Sequence, residues 1–268
     1  MEFEIKNALI TGASSGIGRE VAIWFAKRGA RVYAAARRIS MLEELAKGGH
    51  GQIIPFALDV SKEQQTVDAI QKLDDECGGL DLVVANAGLG DCTPAHNSTW
   101  PMVERILKVN VMGAAATVTA VLPRMVKRGK GRIAGVSSLA GRRGLGAYSC
   151  YSGSKAFFST FLESLQVDVH GTGVKVTCIE PGFVHSEMSD KLTGVVAMPF
   201  RMDTVTAAAK IGRGIVSGKR VLAFPWIHAL GTHLLTTVPA PIFEPIAKNA
   251  SKSQIRMLEA NLAKEAAK

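Results

Sequence analysis

Residues 11–18 read TGASSGIG, directly after the apolar run NALIT (7–11) and directly before a helical pattern. Gly12, Gly16 and Gly18 let the backbone turn sharply and come close to a ligand. Where the turn opens a helix, unsatisfied N–H groups and a partial positive charge face any bound pyrophosphate. A glycine pattern alone specifies little. Its position between a strand and a helix makes it a dinucleotide-binding turn. After it, Ile17, Val21, Trp24 and Phe25 recur at helical spacing, and Gly29 can end that helix.

The same alternation continues along the chain. Strands are expected at 7–11, 31–36, 52–58, 80–86, 131–138, 174–180 and 220–224, with helical patterns between them. A long apolar helix begins with Val103, Ile106, Leu107, Val109 and Val111. The strand runs of Val, Ile, Leu and Ala scarcely alternate with polar residues, which suits burial on both faces of a parallel sheet. Right-handed crossovers then give an α/β, doubly wound Rossmann fold: a seven-stranded parallel sheet in the order 3-2-1-4-5-6-7 with helices on both faces. No internal repeat or linker interrupts the chain, so one domain over 1–268 is expected.

Composition narrows the classes. The 268 residues are 47% hydrophobic and 21% charged, as in a globular protein. Cys77, Cys92, Cys150 and Cys178 lie far apart in no metal-ligand spacing, so neither a zinc site nor a disulfide framework is expected. That usage suits a reducing compartment, and the N-terminus reads as a first strand rather than a signal peptide. A cytoplasmic location is expected, with peripheral contact with a membrane tied to the tail described below. The net charge of +9 is concentrated in 27–38 and 124–143. Tyr33 is the one aromatic residue in these two stretches, too few to interleave with the basic ones as a nucleic-acid surface would need, so no nucleic-acid partner is expected.

The end of the second strand bears on the cofactor. It reads AAARR, with Arg37 and Arg38 and no carboxylate to accept from a ribose 2′-OH. A guanidinium can bind a 2′-phosphate bidentately, so NADP(H) is favoured, with NAD(H) as the alternative. Arg37, first after the strand, is the stronger candidate.

AYSCYSGSK (147–155) supplies the candidate acid–base group. Lys155 stands four residues after Tyr151, so on a helix both share one face. An ammonium there lowers a phenol's pKa. Tyr148 has Ser152 at the same offset, so Tyr151 is the chemical tyrosine.

TGASSGIG, Asp59-Val60, NAG at 86–88, Asn110 in KVNVMG, Ser138 in VSSLAG, YSGSK at 151–155 and Pro181-Gly182 occur in order. With these motifs the sequence resembles the short-chain dehydrogenase/reductase superfamily in its single-domain form, over nearly the whole chain. The resemblance implies that Tyr151 is the general acid or base and that Ser138 hydrogen-bonds the substrate oxygen. Lys155 would assist Tyr151 and bind the nicotinamide ribose, and Asn110 would hold a proton-relay water. It implies cofactor contacts from Gly12, Ser14, Ser15, Gly16, Ile17, Gly18, Arg37 and Arg38. Further contacts would come from Asp59, Val60, Asn86, Ala87, Gly88, Tyr151, Lys155, Pro181, Gly182, Val184 and Ser186. A homodimer or homotetramer through helices at 107–122 and 155–169 is implied as well. The sequence departs from the family's commonest pattern at Ala85, Ser15 and Ser186.

The activity expected is interconversion of a hydrophobic ketone or aldehyde and its alcohol. The alternative is a non-catalytic NADP-binding sensor or scaffold. Residues 183–230 would contribute a substrate lid, with Leu89, Leu139, Leu145, Phe183, Val195, Val196, Met198, Phe200 and Phe224 lining the pocket. Arg142 and Arg143, between the catalytic residues, could attract an anionic substrate tail. Residues 225–268 form an apolar, then amphipathic, C-terminal extension broken by Pro225, Pro239, Pro241 and Pro245. Lid, subunit contact and membrane-surface anchor are the readings open to it.

Overall fold

The computed structural model describes residues 4–90, 92–185, 187–190 and 201–266. Ser186, Val195, Val196, Met198 and Phe200 lie outside the described residues. Seven parallel strands, β1 (Asn7–Thr11), β2 (Arg31–Ala36), β3 (Ile53–Ala57), β4 (Leu82–Ala85), β5 (Gly131–Val136), β6 (Val174–Pro181) and β7 (Val221–Phe224), form one sheet. Their order is β3-β2-β1-β4-β5-β6-β7, the expected doubly wound topology.

Strand residues divide between the two faces with a period of two. Ala8, Ile10, Val32, Ala34, Leu82 and Val84 face one layer; Leu9, Tyr33, Ala35, Val83 and Ala85 face the other. The first layer is closed by α1 (Gly16–Ala26), α2 (Ile39–Lys47) and α9 (Thr204–Val216), through residues such as Phe25, Leu42 and Ile211. The second is closed by α3 (Glu63–Glu76), α5 (Ala114–Thr119), α6 (Leu122–Arg128) and α7 (Ser149–Asp168), with α4 (Trp100–Leu107) packed against α7. Two buried apolar faces explain why the strands read as continuous hydrophobic runs. A short α8 (Glu187–Asp190) and two terminal helices, α10 (Trp226–Thr237) and α11 (Ala240–Ala266), complete the chain.

Two departures from the expected elements matter for the site. β5 stops at Val136, so Ser137 and Ser138 run past the edge of regular pairing. The long helix at 100–128 is also interrupted, because Lys108–Gly113 winds as a π-helix between α4 and α5. The basic run 124–143 is largely consumed inside the fold. Arg124 Nε and Arg128 Nη1 bond Asp74 Oδ2 at 2.7 and 2.8 Å, tying α6 to α3.

Candidate active site

The crevice opens at the C-terminal ends of β1 and β4, where the strand order reverses direction. The glycine turn is locked to β4 by Asn86. Its Nδ2 donates to the Thr11 and Gly12 carbonyls at 2.9 and 3.3 Å, while Thr11 Oγ1 accepts from the N–H groups of Asn86 and Ala87 at 3.0 and 3.1 Å. Gly12 has φ +68°, the left-handed region that favours glycine. At Gly18 an added Cβ would overlap both the Gly12 carbonyl and Asn86 Nδ2. Ser15, at the N-cap of α1, makes no side-chain cap bond, so the first N–H groups of the helix are not taken by it. A backbone cradle of glycines at an uncapped helix start fits a dinucleotide's pyrophosphate. Gly18→Ala should therefore weaken nicotinamide dinucleotide binding by about tenfold or more, since about 1.4 kcal/mol of misfit suffices for that. Fluorescence titration checks it.

Arg38, rather than the preferred Arg37, reaches the glycine turn. Its Nη2 donates to Ser14 Oγ and Ser15 Oγ at 3.0 and 2.9 Å, and its Nη1 pairs with Glu187 Oε2 at 3.1 Å. Arg37 is exposed. The residue that leaves a strand first need not be the one whose side chain turns toward the loop of the neighbouring strand. Asp59 binds Ser61 through its carboxylate, with Ser61 N and Oγ at 3.1 and 2.8 Å. Val60 is buried in the core, as is Val184.

The four candidate catalytic residues converge on the same crevice. Asn110 lies in the π-helical turn, a form often found at functional sites. Its Oδ1 accepts from Leu89 N at 2.8 Å; its Nδ2 donates to Leu89 O and Ser154 Oγ at 2.9 and 3.0 Å. Asn110 thereby pins the segment after the NAG motif to α7. A Cβ added at Gly88 would stand 3.5 Å from both Asn110 Oδ1 and Lys155 Nζ, so these two groups flank one small space. Ser138 Oγ accepts from Ala140 N at 3.1 Å and donates to Pro181 O at 3.4 Å, and it is near enough to Tyr151 to oppose the effect of burial on that phenol. Ser137 points the other way, donating to Lys155 O at 2.8 Å and sharing a 2.7 Å bond with Ser159 Oγ. Before α7, Ala147 has φ 65° and accepts from Thr93 N at 2.7 Å, which fixes the turn that delivers Tyr151.

The electrostatics differ from the expected pairing. Burial pushes the Tyr151 phenol up from its ordinary pKa, against a smaller opposing effect from the Ser138 hydrogen bond. Burial pushes the Lys155 ammonium down to about 8. Lys155 Nζ stands 5.8 Å from the Tyr151 ring centroid and donates to Val136 O at 2.8 Å. The i, i+4 spacing holds, but the ammonium is turned to a backbone carbonyl and desolvation dominates.

Arg142 and Arg143 are committed to the protein. Arg142 Nε and Nη2 bond Glu180 Oε2 at 2.9 and 2.5 Å, and Nη1 donates to Ala229 O on α10 at 2.9 Å. Arg143 donates to Thr236 O and Val238 O at 3.1 and 3.0 Å and lies 4.3 Å from the Phe243 ring centroid. The expected attraction for an anionic tail gives way to a fastening of the C-terminal helices. Glu180 and Ser159, 3.2 Å apart, continue this network to Ser137. A lone acid inside the apolar strand VKVTCIE was the available signal for Glu180. Of the expected pocket residues, Leu139 and Phe224 are buried, Leu145 is exposed, and Phe183 stacks edge-on against His228 at 5.5 Å.

Comparison with known proteins shows the family and agrees with the fold. The family model described as short chain dehydrogenase matches residues 6–194. An uncharacterized oxidoreductase of Myxococcus xanthus is 50% identical over 250 residues, which is 92% of this chain and 98% of that protein. A short-chain dehydrogenase from Streptomyces avermitilis superposes with a TM-score of 0.78 at 26% identity, covering 87% of this chain and 94% of that one. A 3-ketoacyl-(acyl-carrier-protein) reductase from Brucella melitensis, solved with NADH, gives a TM-score of 0.74 at 25% identity, covering 82% of this chain and 96% of that one.

Proposed function

This chain belongs to the short-chain dehydrogenase/reductase family, oxidoreductases that use a nicotinamide cofactor on small carbonyl or alcohol substrates, and from that premise we propose that it reduces a hydrophobic ketone or aldehyde with NADPH. The observation that carries the reading is the convergence of Ser138, Tyr151, Lys155 and Asn110 beside the glycine cradle. The nicotinamide supplies the hydride when bound. Tyr151 gives its proton to the carbonyl oxygen as that oxygen gains negative charge. Burial raises the phenol's pKa, so cofactor and substrate binding must supply the positive and polar groups that ease its proton transfer. Ser138 stabilises the same oxygen by a hydrogen bond. Lys155, charged at neutral pH, would hold the ribose hydroxyls and reload the phenol. Asn110 orients the Leu89 and Ser154 groups around it.

The NADP preference rests on Arg38 with Ser14 and Ser15, a guanidinium and two hydroxyls at one point of the crevice. Charge-assisted bonds of this kind contribute about 1.5–3 kcal/mol each. Fluorescence titration should give tighter binding of NADPH than of NADH, and Arg38→Ala should lose about ten- to hundredfold for NADPH alone. Tighter NADH binding by the unaltered protein would reverse the assignment. A homodimer or homotetramer is supported by Trp100, Met112, Phe157 and Val167, which leave large apolar side chains exposed on α4, the π-helical turn and α7.

A further inference from the structure

The C-terminal helices carry a second apolar surface. On α10, Trp226, Leu230 and Leu234 follow one another at i, i+4 and i+8, with 74, 50 and 57% of their surfaces exposed. Ile227 and Leu235 stand beside them, and α11 adds Ile242 and Ile246, at 58 and 60%. α10 contains no Asp, Glu, Lys or Arg.

This face is not a loose tail waiting to fold back. The opposite side of each helix is already used. Ala229 O, Thr236 O and Val238 O accept from Arg142 and Arg143, His228 meets Phe183, and Arg143 covers Phe243. On α11, Phe243, Ala247 and Ser251 turn inward. At about 100° per residue, Lys252 and Arg256 then fall on the outward side with Ile242 and Ile246. Both cations are exposed. Between Pro225 and Arg256 the only acid is Glu244, against Lys248, Lys252 and Arg256.

We infer that α10 and α11 dock this protein onto an anionic lipid surface, lying in the plane of the interface. An apolar stripe entering the acyl boundary beside a row of cations fits anionic headgroups, and Trp226 suits the headgroup level. A second copy is the poorer fit. Isologous pairing would bring together the Lys248, Lys252 and Arg256 edges of two copies, where Glu244 is the only acid between Pro225 and Arg256. Among the described residues the one helical run long and apolar enough to cross a bilayer is Trp100–Arg128, and its most apolar stretch is largely buried in the core.

Flotation of the full chain tests this, using vesicles of phosphatidylcholine with about one-third phosphatidylglycerol and vesicles of phosphatidylcholine alone. The protein should float with the first and far less with the second. The combined variant Trp226→Ser, Leu230→Ser, Leu234→Ser should lose about tenfold or more of the bound fraction, with thermal unfolding unchanged. Failure of the unaltered protein to float, or equal flotation of the variant, overturns the inference. So does a fall in solution mass of the variant by light scattering without any vesicle effect, which would make this face a subunit contact. Variants Lys252→Glu and Arg256→Glu, on α11 rather than α10, give an independent reading: flotation that is indifferent to them removes the anionic lipid.

Discussion

Tyr151→Phe is expected to lower kcat for carbonyl reduction by about 10²- to 10⁴-fold, the range for losing a positioned general acid. The phenyl ring fills the same space and keeps its place four residues from Lys155, so cofactor affinity should change little. Tyr148→Phe is the matched control. Its ring lies 6.5 Å from that of Tyr151 at the start of α7, but it is Tyr151 whose phenol is influenced by Ser138 and whose ring stands 5.8 Å from Lys155 Nζ. Steady-state rates with NADPH, paired with fluorescence titration of each variant, separate lost chemistry from lost binding. A Tyr151→Phe protein that retains full turnover would remove the phenol from the reaction.

The second large effect lies off the reacting atoms. Glu180 is buried and holds Arg142 through two short bonds. Removing one partner of such a pair leaves the other charge uncompensated, at a cost of about 3 kcal/mol or more. Glu180→Ala should therefore lower Tm by roughly 6–12 °C. Replacing both partners with apolar residues, Glu180→Met with Arg142→Leu, should recover much of that loss. The double variant still lacks the bond to Ala229 O, so KM should rise with α10 less firmly held while kcat changes less. Thermal unfolding and kinetics on the same preparations give both quantities. Equal Tm values for the single and double variants would mean that packing, not charge, is what Glu180 provides.

The sheet was legible because its strands are buried on both faces, a condition that selects runs such as LVVA and IAGV. The crevice was legible because TGASSGIG must follow a strand and open a helix. Tyr151 and Lys155 were legible through helical spacing, yet the electrostatics between them were not. Spacing fixes which face a side chain leaves from, and it leaves open which acceptor an ammonium finds; here that is Val136 O. Arg38 was likewise ranked behind Arg37, because the direction of a side chain at a strand end depends on the neighbouring loop. Glu180 and Arg142 are 38 residues apart, and no local pattern joins them. The π-helical turn was hidden for a different reason: KVNVMG has ordinary helical composition, and only the backbone bonding distinguishes it.

That turn also divides the run from Trp100 to Arg128 into two parts with unequal duties. A π-helical turn accommodates one residue more than regular winding would, so the side chains after it are advanced by about 100° relative to an unbroken helix. The first part presents Ile106 to the interior, and the second presents Val118, Val121 and Met125 to the sheet. Asn110 sits at the step between them. Deleting a single residue there would restore regular winding and, in the same stroke, bring the two halves back into phase. The gain in backbone regularity would come with either the core or the crevice out of alignment. The irregularity is thus a phase shifter, and it lets one helix serve the packing of the sheet and the placement of an active-site amide at once.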